Sequence, residues 1–521
     1  MFSRISTAVC SGIEGRPVSV ETDVARGLPG INIVGLASTM VMESRERIKS
    51  AIINSGFDYP HSRITVNLTP ASLRKNGSGL DLPIALGILS AGLFLDPGKL
   101  SGCGVIGELA LDGRVLGISG VLPMLISMQK AGLTRAIIPY ENIREAALVE
   151  GMRVFPVRSL AECEALVSGR IGPSDLAGYA EANSEADGNA YPDDMPGDAE
   201  GSDNDFGSIK GQEAAKRAIV IAAAGRHGLL MIGSPGCGKT MLSSRIPTIM
   251  PPMGRDEQIE TAIIYSAAGK GDPEERVTHV RPFRHPHHTI GRAGLIGGGN
   301  YPVPGEITLA HNGVLFLDEV CEFSRDTIEA LRLPIEERQI THFRKGESYT
   351  FPCSFQLVMA SNPCPCGYFG DETRVCKCTE SQLEMYRKKL SGPIMDRIDM
   401  RITMERVTYD DLSIRQDDTA CMTSEEMRQL VMEGIDFRLA DGRTSYNMAM
   451  TDSEIDRYCS LGREETLFMN RAYDALKMSP RSYKKTLKVA RTIADIDGSS
   501  RIRTEHLSEA LSYRLTEKVN E

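Results

Sequence analysis

The stretch Leu229–Thr240, "LLMIGSPGCGKT", decides how the chain is read: a short apolar run breaks into a glycine-rich loop that ends in Lys-Thr. The spacing G-x-x-x-x-G-K-[ST] is filled by Gly233, Gly238, Lys239 and Thr240. Glycines let successive backbone N–H groups turn inward around phosphate oxygens. On this pattern Gly233, Ser234, Pro235, Gly236, Cys237 and Gly238 form a cradle, Lys239 reaches the outer phosphates and the Thr240 hydroxyl ligates magnesium. The residues that follow, Met241 to Ile246, can open a helix whose positive N-terminal end faces the anion. A plain glycine turn between a strand and a helix is the competing explanation. With every fixed position filled and a strand in front, the loop is read as holding a nucleoside triphosphate, ATP with Mg2+.

Two more apolar runs end in chemistry. "GVLFLDEV", Gly313 to Val320, delivers Asp318 and Glu319. Beside a phosphate loop, such a pair suits magnesium chemistry, with Asp318 holding the ion and Glu319 polarising the attacking water. "FQLVMASNP" ends in Asn362, whose amide can orient that water; an Asn-Pro turn at a strand exit gives the same pattern. Further on, "GPIMDRIDM" presents Arg397, and "SPRSYKKTLKVARTIAD" presents Arg481 in a helix's first turn, with Ser479 as N-cap and Pro480 at N1.

The 521 residues leave room for about three domains. A composition of 41% hydrophobic and 25% charged residues is that of an ordinary soluble globular protein. No apolar stretch is long enough to span a bilayer, and "MFSRISTAVCSGIEG" lacks the apolar core of a signal peptide. Twelve cysteines, one inside the phosphate loop, suit a reducing compartment better than a disulfide framework. A cytoplasmic location without a membrane partner is expected. The net charge of −10 has a single origin: ten acidic residues and no Lys or Arg lie between Arg170 and Lys210, so the remainder is balanced. That tract, "GPSDLAGYAEANSEADGNAYPDDMPGDAEGSDND", reads as a disordered linker. Net charge therefore neither supports nor excludes a DNA partner.

The order of motifs after the linker resembles that of AAA+ ATPases: phosphate loop, acidic strand, sensor Asn, arginine finger, then a sensor arginine on a helical lid. By that resemblance Arg397 projects into the neighbouring subunit's nucleotide site, whereas Arg481 contacts the nucleotide of its own subunit. An arginine acting in trans implies a ring, here a homo-hexamer. "FRHPHHTIGRAGLIGGGNYPVPGEITLAHNGVLFLDE" resembles the magnesium chelatase branch, in which a glycine-rich insertion interrupts the second helix. "ERQITHFRKGESYTFPCSFQLVMASNP" resembles the hairpin before the sensor strand, shared with replicative helicases of the MCM kind. His285, His287 and His288 are read as part of a close-packed loop, because no Cys or carboxylate spacing completes a metal site around them.

"NPCPCGYFGDETRVCKCT" places Cys364, Cys366, Cys376 and Cys378 as two C-x-C pairs. Four thiols from two turns can close a tetrahedral, structural Zn2+ site, although C-x-x-C is the more usual spacing. The other reading is four reduced cysteines in a surface loop.

Before the linker, "SRITVNLTPASLRKNGSGLDLPIALGILSAGL" and the run beginning "VIGELALDGRVLGISGVLPM" resemble the proteolytic domain of Lon proteases. That family uses a Ser–Lys dyad. Matching the loop Lys75 to Asp81 to the family puts Gly79 at the nucleophile, with Ser78 one residue early, and the loop Ile118 to Met124 puts Leu122 at the lysine. Without an amine to take its proton, a serine hydroxyl is a poor nucleophile, so this domain is expected to be catalytically dead.

The expected fold class is α/β multidomain. It comprises an N-terminal Lon-protease-like (ribosomal S5 domain 2-like) α/β domain over 1–170, the linker over 171–206, an AAA+ P-loop α/β core of the magnesium chelatase type over 207–405 with the cysteine-rich insertion at 364–378, and a C-terminal helical lid over 406–521. This combination resembles the ComM/YifB family of bacterial magnesium-chelatase-like ATPases. The resemblance implies a hexameric DNA motor, a helicase or translocase that promotes branch migration of recombination intermediates during natural transformation. Candidate grips on the phosphate backbone are "RPFRHPHH" and Arg344 with Lys345. The absence of Trp suits backbone tracking rather than base stacking. A magnesium chelatase subunit is disfavoured by the Lon-like front and an ATP-dependent protease by Gly79 and Leu122. A chaperone ATPase acting on protein stays open.

Overall fold

Along the first strands apolar and polar residues alternate, so that Ile64, Val66 and Leu68 of one strand all face inward with no exposure. Alternation of this kind builds a sheet with one well-covered face. The strands are β1 (Phe2–Ser11), β2 (Glu14–Ala25), β3 (Gly30–Val34), β4 (Arg63–Thr69), β5 (Cys103–Val105), β6 (Arg135–Pro139) and β7 (Arg153–Val157). They lie in the order β3-β4-β2-β1-β5-β6-β7, with β1, β2 and β4 mutually antiparallel and the β5 side parallel. Helix α1 (Asp81–Ala91), buried at every position, and helix α2 (Val121–Lys130) pack against β1 and β2. The computed structural model describes residues 1–183, 204–270, 278–406 and 422–514, apart from Asn76, Ser78, Glu372, Thr373 and Ser391.

The first domain runs past residue 170, which corrects the expected linker boundary. Leu176 is buried in its core, the Tyr179 ring stacks on Phe155 at 5.9 Å, and the Asn183 side chain brackets the backbone of Val154 at 2.8 and 2.7 Å. Two apolar side chains outweigh the Gly/Ser/acidic composition around them. At the far end Asp205 accepts hydrogen bonds from the backbone N–H groups of Gly207 and Ser424, and Phe206 is fully buried. The remainder of the acidic tract, 184–203, lies outside the described residues.

The second sheet comprises β8 (Leu229–Gly233), β9 (Phe283–Arg284), β10 (Val314–Leu317), β13 (Gln356–Ser361) and β14 (Met400–Met404), and a separate hairpin, β11 (Gln339–Arg344) with β12 (Glu347–Pro352), precedes β13. Its order is β9-β10-β13-β8-β14 and every pairing is parallel. β10 and β13 are buried along their whole length, as continuous apolar runs covered on both faces must be. The chain then closes in a helical lid whose long members are α7 (Ser424–Ala440) and α8 (Pro480–Ile496). Ser479 caps α8 by accepting from the Ser482 N–H, with Pro480 in the first turn. Inside the lid Asp495 accepts from Arg443, Arg491 and Asn447, all buried, a charged centre whose acceptors are satisfied from three sides. Lid and core are joined through Asp399, which accepts from the Gly228 N–H at 3.0 Å and pairs with Lys485 of α8 at 2.7 Å.

The two sheets meet where helix α3 (Arg255–Ala268) lies against α2. Gly120 N–H donates to Ser266 O, and the buried Ser266 hydroxyl donates to Glu145 at 2.6 Å. Among the described residues no helix is long and apolar enough to cross a membrane.

Candidate functional site

The phosphate loop follows the C-terminal end of β8, where parallel strands open onto ligands. Gly236 and Gly238 have φ of +82° and +92°, and no atom lies where a Cβ would stand. The glycines are therefore required by backbone conformation and not by crowding. Lys239 is 8% exposed, and its ammonium donates to Gly233 O at 2.6 Å, Ser234 O at 3.1 Å and Asn362 Oδ1 at 3.2 Å. The lysine thus holds the loop's own acceptors in the place of phosphate oxygens. The Thr240 hydroxyl donates to Asp318 Oδ2 at 2.6 Å, and the Glu319 N–H to Asp318 Oδ1 at 2.8 Å. A hydroxyl and a carboxylate in contact are the hard oxygen donors that Mg2+ takes, so Thr240 and Asp318 fit the ion. Glu319 has φ +48°, a left-handed conformation uncommon for a side-chain-bearing residue and enriched where function requires it. Its carboxylate is half-exposed beside the loop.

Two residues that the sequence reading did not single out as site residues join this group. His288 Nδ1 stands 3.9 Å from Glu319 Oε2. Gln212, also left-handed, donates its amide to Glu405 O at 2.6 Å and Cys237 O at 3.4 Å, tying the phosphate loop to the last strand. Neither carries a spacing signal, because each reaches the site from a loop distant in sequence.

The arginines lie elsewhere. Arg397 precedes β14, at the N-terminal end of the parallel sheet, while the phosphate loop follows β8 at the C-terminal end. Five residues of strand, roughly 16 Å, separate the two ends. Arg397 and Arg481 both pair with Glu336 Oε1, at 2.6 and 2.9 Å, which holds the Glu336 carboxyl below the usual range. Arg481 is therefore with Arg397 and not with its own chain's Lys239, Thr240, Asp318 and Asn362. This departs from the contact expected of it, because α8 is anchored at the strand-start edge by Lys485 and Asp399.

The basic run at 281–288 also differs from its expected role. Arg281 is buried and bidentate to Glu257 at 3.0 and 2.8 Å, and Arg284 is bidentate to Glu306 at 2.7 and 3.0 Å. Both guanidiniums are internal fasteners. Arg344 and Lys345, by contrast, sit at the tip of the β11–β12 hairpin. Lys345 and Arg74 of the first domain flank the Tyr301 ring at 4.8 and 5.5 Å, and Phe343 beside them is 74% exposed.

In the first domain, a Cβ on Gly79 would lie 2.6 Å from Ile118 Cδ1, and Leu122 is fully buried. Ser78 lies outside the described residues. A cavity of about 410 Å3 remains around Gly79, shared with Tyr301 and Tyr349 of the second domain. The four cysteines Cys364, Cys366, Cys376 and Cys378 converge, their sulfurs all within 4.8 Å of one another, a group that can hold a metal ion.

Five parallel strands in this order, a phosphate loop after the central strand, an acidic strand end and a helical lid define an AAA+ ATPase core of the magnesium chelatase type. Three family profiles match: "Magnesium chelatase, subunit ChlI" over 205–412, "Subunit ChlI of Mg-chelatase" over 20–142 and "Magnesium chelatase, subunit ChlI C-terminal" over 421–514. The chain is 38% identical to the uncharacterized protein YifB of Escherichia coli K12, over 99% of this chain and 98% of that protein. It is likewise 38% identical to the competence protein ComM of Haemophilus influenzae, over 99% and 97%. A Lon protease of Buchnera aphidicola matches at 27% identity over 29% of this chain and 21% of its own. The chain belongs to the YifB/ComM family.

Proposed function

We propose that this AAA+ ATPase works as a homo-hexameric ring whose ATP hydrolysis drives movement along single-stranded or branched DNA, promoting branch migration during transformation. The observation that carries the ring is the separation of Arg397 and Arg481 from the phosphate loop by the length of a strand. A chain that cannot bring its own arginines to its own nucleotide is completed by a neighbour that offers its strand-start edge to this chain's strand-end edge. In that arrangement Lys239 leaves its backbone acceptors for phosphate oxygens, and Thr240 and Asp318 would hold Mg2+, which neutralises charge on the phosphates. Glu319 accepts a proton from the attacking water, Asn362 orients that water, and the two arginines of the adjoining copy steady the departing charge. The first domain serves as a scaffold.

DNA is favoured by two features. One relative bears the name competence protein, and Arg344 with Lys345 stands on a projecting hairpin beside Tyr301, where a backbone-tracking contact needs cations. The profile names support a second reading, a magnesium chelatase subunit; the Lon-like first domain weighs against it. We further assign Zn2+ to the four cysteines, since a closed set of soft thiolates selects that ion.

The test is ATPase activity with and without single-stranded, forked and four-way DNA, run beside branch-migration assays. Stimulation by DNA that fades with salt supports the motor. Turnover indifferent to every nucleic acid, or a species that stays monomeric with ATP, refutes it.

A further inference from the structure

The cysteine group is not a remote surface feature. It begins two residues after Asn362, the last residue before Pro363 on the exit of β13. Cys364 is fully buried, and three of the sulfur pairs stand 3.3, 3.7 and 3.6 Å apart. Four thiolates at about 2.3 Å from a tetrahedral zinc have edges of about 3.8 Å, so the sulfurs are spaced as a bound ion would space them.

Between the two C-x-C pairs the chain touches every part of the nucleotide site. The turn from Cys364 to Gly367 is closed by a 2.9 Å backbone hydrogen bond, and Gly367, at φ +86°, is pressed on the phosphate loop. A Cβ at Gly367 would lie 2.7 Å from both Cδ and Cγ of Pro235. Directly after Cys378, Thr379 caps a helix, Glu380–Lys389, with a reciprocal Thr379–Gln382 pair of bonds. That helix carries the buried Tyr386, whose hydroxyl shares hydrogen bonds with Ser361 of β13 and Cys321, three residues beyond Asp318. Lys389 at its end pairs with Glu322 at 3.6 Å. The sensor strand, the phosphate loop and the turn after the acidic strand thus converge on one short segment. Across the cluster itself, the first C-x-C turn and the second are otherwise joined by side-chain contacts at the surface, Arg374 with Tyr368 and Arg387 over Phe369.

We infer that the four-cysteine site is a metal-held brace for nucleotide binding: Zn2+ on Cys364, Cys366, Cys376 and Cys378 fixes Gly367 against Pro235 and Asn362 against Lys239, so that metal occupancy sets the affinity for ATP. This rests on the zinc assignment above. Cross-linking two turns by a metal removes local conformational freedom that the weak thiol contacts leave in place. Once the ion is lost, the segment can lift from Pro235, and the phosphate loop loses the surface that supports its shape.

The experiment uses the full chain. Zinc content is measured per chain, Co2+ is substituted for its tetrahedral thiolate absorption, and binding of a fluorescent ATP analogue with Mg2+ is titrated on zinc-loaded, chelator-stripped and zinc-restored protein. One zinc per chain is expected, with nucleotide affinity weakened at least tenfold on stripping and recovered on restoring zinc. The Cys376→Ser/Cys378→Ser double variant should reproduce the stripped state; circular dichroism checks that it remains folded. Gly367→Ala keeps all four ligands, so it should retain zinc and still weaken nucleotide binding. No stoichiometric metal refutes the zinc assignment and with it the brace. Stoichiometric zinc whose removal leaves affinity within twofold refutes the brace alone. Zinc-loaded protein that does not bind ATP refutes instead the reading of the phosphate loop.

Discussion

Arg397, before a strand of the ATPase core, and Arg481, on a lid helix, hold the same oxygen of Glu336, at 2.6 and 2.9 Å. Two cations on one carboxylate oxygen, at the edge of the sheet away from the phosphate loop, form a single charged unit. Whatever delivers one arginine to a nucleotide delivers both.

Subunit mixing follows from that pairing. Arg397→Ala and Arg481→Ala should each lower turnover about a thousandfold while leaving ATP binding intact, as for an arginine supplied in trans. Mixing either variant with Lys239→Ala subunits should restore part of the activity, since each mixed interface can join an intact loop to intact arginines. An arginine serving its own chain gives no rescue, so an inert Arg481→Ala mixture would overturn the shared placement.

The loop residues separate binding from chemistry. Lys239→Ala should abolish nucleotide binding, because its three present acceptors are backbone and amide oxygens that phosphate replaces. Glu319→Gln should bind ATP and trap it, and Asn362→Ala should slow turnover about 100-fold at nearly unchanged affinity. Equilibrium binding and single-turnover hydrolysis measure the two effects separately; normal multiple turnover by Glu319→Gln would remove it from the mechanism.

Only one of the two basic segments should matter for DNA. Arg344→Ala with Lys345→Ala should weaken DNA binding and lower the slope of log affinity against log salt by about 1.5, at about 0.7 per phosphate contact on a single strand. Basal ATPase should be unchanged. Arg281→Ala and Arg284→Ala should act on stability instead, through the carboxylates of Glu257 and Glu306 left behind. A salt slope that Arg344 and Lys345 do not affect would move the grip elsewhere.

Asp81 gives the first domain a pH dependence. Burial pushes its carboxyl up to about 6, although Arg47 donates to it at 2.7 Å and the Leu109 N–H at 3.3 Å. The folded state therefore binds this proton more tightly than the unfolded chain, whose value is about 3.9. Its contribution to stability is full below about pH 4 and is lost as pH rises through about 6. Asp81→Asn removes the titration, so the variant's stability relative to the natural chain should rise between pH 4 and pH 8 by on the order of 2 kcal/mol. Denaturant unfolding across that range measures the difference; a constant offset would contradict the raised value.

The ATPase half was legible wherever chemistry follows a local pattern. The phosphate loop, Asp318, Glu319 and Asn362 each stand at the end of an apolar run, and a run buried on both faces declares itself in a few residues. The Ser479 cap with Pro480 was equally local. The four cysteines declared a metal-like set, but their contact with Pro235 did not appear in any spacing, because it joins two loops across the sheet. The linker boundary was misplaced at 170 because composition averages over a window, whereas Leu176, Tyr179 and Asn183 act one side chain at a time.

The sequence by itself determined which residues can carry phosphate, magnesium and thiolate chemistry, since those demands are met by residue type at fixed short spacing. Tertiary structure alone decided which arginines serve solvent, fold or nucleotide. Arg281 and Arg284 look as free as Arg344 until Glu257 and Glu306 are brought beside them, and Arg481 looks like a partner for its own loop until Asp399 anchors its helix at the other edge. A long cation takes its role from the nearest desolvated carboxylate, and that neighbour comes from a distant part of the chain.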